Sequence, residues 1–154
     1  MNKKIIPFIA INKNIYYKYF IEDKFEAGLS LQGWEVKALR AGNVIINNSY
    51  VLFKNNEAYL FGANFKSLGI TSSYVFPDPI RNRKLLLNQR ELDFIYSKVH
   101  QKGYTVVVIS MYWKYSFCKI EIGVAKGKKE YDKRIHIKDR EWKLTKERII
   151  KKHK

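Results

Sequence analysis

Phe117-Cys118-Lys119-Ile120-Glu121-Ile122-Gly123-Val124 sets Cys118, Ile120, Ile122 and Val124 against Lys119 and Glu121 at a period of two. That is the pattern of a strand with one buried and one wet face. Upstream, residues 105–113 are dense in Val, Ile and aromatic side chains, so the two runs form the arms of a hairpin. Cys118 is then a core residue and not a reactive thiol.

Two further hairpins are expected nearer the N-terminus. Residues 49–54 and 57–63 flank Asn55-Asn56, a pair that tolerates the positive φ angles of a tight turn. Residues 16–21 and 25–31 read as strands joined by Glu22-Asp23-Lys24. Six short strands in three hairpins predict a mostly β fold, a small antiparallel barrel of the kind that commonly binds nucleic acid.

Short helices are interposed. Gly33-Trp34-Glu35-Val36-Lys37-Ala38-Leu39-Arg40-Ala41-Gly42 is a helix closed by glycine, with Lys37 and Arg40 on a basic edge. A second helix runs over 89–101, with Asn88 and Glu91 as a capping box, an apolar stripe of Leu92, Ile95, Tyr96 and Val99, and Gly103 as its stop. Residues 64–84 show no period and contain Pro77-Asp78-Pro79. They end in Arg81-Asn82-Arg83-Lys84 before Leu85-Leu86-Leu87, which reads as a phosphate clamp on a proline-stiffened loop.

Charge points to the partner. The chain of 154 residues has a net charge of +16, and Lys126 to Lys154 carries 13 Lys or Arg against 5 Asp or Glu, half of that excess. One domain, 1–125, is followed by a basic tail, 126–154. A segment so basic and so poor in large apolar residues is suited to a polyanion, nucleic acid before anionic membrane. As a helix the tail would align only Ile135, Trp142 and Ile149 in a seam. Burying three such side chains yields roughly 1.5–3 kcal/mol each, while fixing ~20 backbones costs about 1–2 kcal/mol apiece. The tail should therefore be disordered when free and helical once a partner neutralises it.

Chemistry of an enzymatic kind is not legible. The sequence has no Gly-rich phosphate loop, nucleophile elbow or metal-ligand spacing among Cys118, His100, His136 and His153. Asp78, Asp93, Asp132 and Asp139 have basic neighbours and suggest ion pairs. Glu26, in Phe25-Glu26-Ala27-Gly28, is the carboxylate that stands out, since it interrupts an apolar strand and could orient a cation or accept from RNA. The apolar run 5–11 is short and broken by Pro7, unlike a signal peptide. No stretch has the ~18 apolar residues of a membrane span, and a lone cysteine suits a reducing cytoplasm.

These motifs, in order, carry a resemblance. Phe25-Glu26-Ala27-Gly28, the 33–42 stretch, Asp78-Pro79 through Arg83-Lys84-Leu85-Leu86-Leu87, and Ala125-Lys126-Gly127-Lys128-Lys129 with Asp132-Lys133-Arg134 together resemble the SsrA-binding protein (SmpB) family. The resemblance implies an OB-fold-like six-stranded barrel, no enzyme activity and no cofactor. It also implies a cytoplasmic protein, expected as a monomer, that binds transfer-messenger RNA (tmRNA) and delivers it to stalled ribosomes for trans-translation.

By the same resemblance Glu26, Leu86 and Asn88 belong to the tmRNA surface, with Lys37, Arg40, Arg81, Arg83, Lys84, Lys126, Gly127, Lys128 and Lys129 as further RNA-binding candidates. Tyr131, Asp132, Lys133, Arg134, Trp142, Ile149 and Ile150 would serve at the decoding centre and in the mRNA channel. Ala10-Ile11-Asn12-Lys13-Asn14 is less basic than the family implies there. A different class of reading, a structural rRNA-binding protein of the ribosome with a basic tail, also fits the charge. A metal-dependent nuclease fits it poorly.

Overall fold

The computed structural model describes residues 7–69, 76–101 and 103–152. Its core is the hairpin from which the sequence was read. Strand β8 (Tyr104–Lys114) and strand β9 (Phe117–Gly127) pair from Tyr104 with Lys126 to Lys114 with Phe117, with a bulge between Val108 and Ser110. Cys118, Ile120, Ile122 and Val124 are buried and Lys119 and Glu121 are not. Burial pushes the Cys118 thiol up to about 12, which makes it inert at neutral pH.

On the far side of β9 lies β2 (Tyr19–Leu29). It is one strand where the sequence suggested a hairpin. Glu22-Asp23-Lys24 is no turn: Ile21 faces Ala125 and Asp23 faces Val124, so Glu22 is absorbed as a bulge. Polar turn-like residues are tolerated there because this part of β2 has an exposed face, on which Glu22 and Lys24 lie.

The turn at Asn55-Asn56 joins β4 (Tyr50–Lys54) to β5 (Glu57–Phe61), with φ of 51° and 59° at the two asparagines. The sixth strand of the ring is β7 (Arg83–Leu86), within the stretch read as a clamp and a leucine anchor. It bridges β5 and β2, so the ring runs β8, β4, β5, β7, β2, β9 and back to β8, antiparallel throughout. The expected barrel of six strands is present, with a different membership. Outside the ring, β1 (Phe8–Ile11) adds to β8, and β3 (Val44–Ile45) pairs with β6 (Asn64–Phe65).

Helix α1 (Ile15–Lys18) leads into β2. Helix α2 (Gly33–Arg40) buries Trp34, Glu35, Ala38 and Leu39, and the Gln32 N–H donates to Glu35 Oε2 at 2.7 Å as its cap. Helix α3 (Gln89–Val99) starts at Asn88, whose N–H donates to Glu91 Oε2 at 3.3 Å, and buries Ile95 against the barrel.

The C-terminal stretch is helix α4 (Glu130–Lys152), and none of its residues is buried. A formed helix thus stands where the sequence points to disorder in the free protein. Glu130 and Asp132 in its first turn and Lys151 and Lys152 in its last complement the helix dipole, which favours this form locally. The seam gives it no support, for Ile135, Trp142 and Ile149 are 41%, 63% and 53% exposed. Among the described residues no helix is long and apolar enough to cross a membrane.

Candidate nucleic-acid interface

Alternation on β2 puts Glu26 and Gly28 on the same face of the strand. Gly28 is opposite Leu86 on one side and Lys119 on the other, and Lys119 in turn faces Tyr112. The pairing therefore gathers Glu26, Leu86, Lys119 and Tyr112 on one outer surface. Position 28 is tight, since a Cβ there would lie 3.3 Å from Leu86 Cβ and would press on that side chain. Leu86 stays 53% exposed, an apolar side chain that the fold itself does not use.

Glu26 is held in place. It accepts from Lys114 Nζ at 2.9 Å and from the Tyr112 hydroxyl. The bond from Tyr112, then that from Lys114, keeps the Glu26 carboxyl below its ordinary value, so it is an anion at neutral pH. Burial and the Glu26 carboxylate push the Tyr112 hydroxyl well up, so it remains a donor. Phe8 packs edge-on against Tyr112 at 6.0 Å. Asn88, exposed at the start of α3, lies two residues beyond Leu86.

Sequence reading missed Tyr112, Lys114 and Lys119 as members of this surface. The signal for Lys119 was present in the wet phase of the β9 alternation. Placing Tyr112 and Lys114 beside Glu26 needs the register of three strands and the bulges in two pairings, which periodicity does not supply.

The clamp is corrected by the structure. Arg83 is completely buried and donates to Glu35 Oε1 at 2.7 Å, to the Arg81 carbonyl at 2.8 Å, to the Pro79 carbonyl at 3.1 Å and to the Ala63 carbonyl at 3.2 Å. Its guanidinium stands 3.7 Å from the Phe65 ring. A side chain so enclosed reaches no phosphate. Arg81 is committed too, to Glu35 Oε1 and Oε2 at 3.1 and 2.7 Å, and Lys84 pairs with Glu57 at 2.7 Å.

Burial alone would raise the Glu35 carboxyl, but the bonds from Arg81 and the Gln32 N–H and the charge of Arg83 outweigh it and hold it below its usual value. Among the described residues none of the four expected aspartate ion pairs is present, and two of these aspartates make other bonds. Asp78 accepts from the Ile80 N–H at 3.1 Å and Asp93 from Gln89 Nε2 at 2.8 Å. Among the described residues the ion pairs fall on glutamates 22, 26, 35, 57, 121 and 130.

Exposed cations lie elsewhere. Lys37 and Arg40 are exposed on α2, and Lys129 at the root of the tail. Lys126 is exposed there too, with its Nζ 4.5 Å from the Tyr104 ring. Lys128 is strapped down: its N–H donates to the Lys18 carbonyl at 2.8 Å and its Nζ to the Tyr16 carbonyl at 2.7 Å, with Nζ 4.7 Å from the Phe20 ring. A Cβ at Gly127 would meet nothing within 4 Å, so the barrel does not demand glycine there. Beyond it, Tyr131 is 72% exposed, Arg134 makes an i,i+4 pair with Glu130 at 3.8 Å, and His136 meets the Tyr17 ring at 6.0 Å. Asp132 and Lys133 are half-buried on the side of His136. Trp142, Ile149 and Ile150 are open to solvent. Among the described residues no cluster of three His, Cys, Asp or Glu could hold a metal ion.

A family model described as SmpB protein matches residues 9–152, which takes in the outer surface, the tail root and α4 together. The chain belongs to the SmpB family. It is also similar to a solved chain described under "tmRNA-SmpB: a journey to the center of the bacterial ribosome", with 38% identity over 79% of this chain and 85% of that one and a TM-score of 0.64. An SmpB barrel therefore carries the Glu26–Leu86 surface, with Gly127 to Arg134 leaving it as an SmpB tail.

Proposed function

We propose that this protein binds tmRNA and delivers it to stalled ribosomes for trans-translation, freeing the ribosome and tagging the unfinished peptide. The observation that carries the reading is membership of the SmpB family across the barrel and the tail, joined to likeness to a chain from a tmRNA-SmpB ribosome structure. The protein works by shape and charge as a cytoplasmic monomer, without catalysis and without a cofactor.

The barrel selects the RNA. Glu26 is an oriented acceptor suited to a base edge or a 2′-hydroxyl, Leu86 offers an apolar platform, and Asn88 offers a side-chain amide. Lys37, Arg40, Lys126, Lys128 and Lys129 supply the surrounding positive field, and Gly127 lets a sugar-phosphate backbone come close. The tail reads the ribosome. Tyr131 presents a π-face to a decoding-centre base, Asp132, Lys133 and Arg134 support tagging, and Trp142, Ile149 and Ile150 grip the empty mRNA channel.

Sequencing the RNA that copurifies with the intact protein tests the reading directly, and tmRNA should dominate. Recovery of rRNA alone, in equal amounts from stalled and translating ribosomes, would favour the structural ribosomal reading instead. The division of labour has its own test. Glu26→Ala or Asn88→Ala should weaken tmRNA binding, whereas Asp132→Ala with Lys133→Ala should leave that binding intact and abolish tagging. Loss of RNA binding in the tail variant would undo the division.

A further inference from the structure

A cavity of about 310 Å³ opens on the barrel where α1, the turn before β4 and the first half of β8 meet. It lies well away from the Glu26 surface. Thr105 lines it, whereas Tyr112, seven residues further along β8, contacts Glu26. At the rise of a strand that separates them by about 23 Å.

Its walls suit a planar, polar ligand with a phosphate. Tyr50 is at once on the cavity wall and in a near-parallel stack with Phe61, rings 5.9 Å apart and 16° from parallel, so a flat ring seated beside it can continue the stack. Tyr19 lines the cavity as well. Asn47, Asn48 and Thr105 offer amide and hydroxyl groups that donate and accept. Lys18 supplies a cation, and its carbonyl takes the bond from the Lys128 N–H, so the lysines of the tail root begin beside it.

The polar wall is built in advance of any ligand. Ser49 is buried with its hydroxyl bonded to the Ile46 carbonyl, and the buried Asn12 amide donates to the Val108 carbonyl at 3.3 Å and the Asn47 carbonyl at 3.4 Å. Gly62, at φ +75°, closes over the turn so tightly that a Cβ would lie 2.7 Å from the Asn48 carbonyl oxygen. A turn fixed by three neighbours loses little freedom on binding.

We propose that this cavity is a second RNA site, which takes one unpaired nucleotide by stacking its base on Tyr50, reading its edge with Asn47 and Asn48, and holding its phosphate at Lys18. The inference rests on the reading of the protein as an RNA binder, and the site is separate from the Glu26 surface. The full-length protein is mixed with a single-stranded ribohexanucleotide carrying 4-thiouridine, cross-linked by light and mapped by mass spectrometry, with affinity followed by anisotropy.

Cross-links at Tyr50 or Tyr19 are expected, with affinity about tenfold lower in Tyr50→Ala and nearly unchanged in Tyr50→Phe, which keeps the ring. Asn48→Asp, which replaces an amide donor at the base edge by an anion that repels the nucleotide, should also weaken binding. Cross-links confined to tail lysines, or wild-type affinity in Tyr50→Ala and Asn48→Asp alike, would overturn the site. Intact tmRNA measured in parallel separates the two readings: if it binds while the hexanucleotide does not, the cavity proposal alone falls.

Discussion

Two charged regions of this molecule handle charge in opposite ways. Under α2 the barrel encloses Arg83 and Glu35, both completely buried, and satisfies them with Arg81, the Gln32 N–H and three backbone carbonyls. Helix α4 holds most of its charges in solvent, and among the ion pairs of the described residues only Glu130 with Arg134 lies within it. Cations inside a fold are part of its architecture; cations with nothing beneath them are left for a partner. Counting Lys and Arg along the chain does not separate the two kinds, but their partners do.

If that contrast is right, the largest loss of stability follows from breaking the enclosed pair. Glu35→Ala leaves a buried guanidinium without its anion, and removing one partner of such a pair costs about 3–5 kcal/mol. Chemical denaturation should show a much lower midpoint. A midpoint near that of the unaltered protein would mean that Arg83 is compensated by its carbonyl partners alone.

Acid should attack the same pair more gently. The folded-state Glu35 carboxyl sits below its ordinary value of 4.5, as do those of Glu26 and Glu57. A depressed carboxyl stabilises the fold fully above the unfolded value and loses that contribution as pH falls through the folded one. Stability should therefore be flat from neutrality to about pH 5 and decline below it. In Glu35→Gln the decline should be shallower, and an equally steep decline would shift the effect to the exposed glutamates.

Much of this was legible in the chain, and the failures have a common cause. The hairpin of β8 and β9 follows from alternation, the β4–β5 turn from Asn55-Asn56, and both longer barrel helices from their caps, because each is a local pattern. The continuity of β2 and the strand character of β7 are not local. Glu22-Asp23-Lys24 looks like a turn until β9 supplies a partner that absorbs a bulge. Arg83-Lys84 looks like a basic loop until Glu35, 48 residues away, buries its charge. Of the proposed site, Glu26 stands out as a carboxylate in an apolar strand, and Leu86, Asn88 and the tail motifs are named by the family resemblance. Tyr112, Lys114 and Lys119 had to wait for the register.

A smaller effect on stability, with a clear one on RNA, is expected at the outer surface. Glu26 is an exposed acceptor whose pair with Lys114 is screened by water, and such pairs contribute about 0.2–1 kcal/mol. Glu26→Ala should therefore fold nearly as well as the unaltered protein while tmRNA affinity falls. A stability loss as large as that of Glu35→Ala would move Glu26 from the interface to the framework and blur the distinction between enclosed and offered charge.

The smallest effect on stability should come from the largest excision. With nothing buried on α4, deleting residues 130–152 removes, among the described residues, surface contacts such as that of His136 with Tyr17. Changes of that kind shift stability by about 0.5 kcal/mol, so the barrel should denature almost unchanged. Amide exchange on the full chain is the sharper measurement. A helix without a docking face opens without disturbing the barrel, so amides from Ile137 to Ile149 should exchange far faster than those of Ile120 to Val124. Strong protection along α4 in the free protein would show that the tail is held before it meets the ribosome. It would then be a second structural element, and its open charges would no longer contrast with those in the barrel.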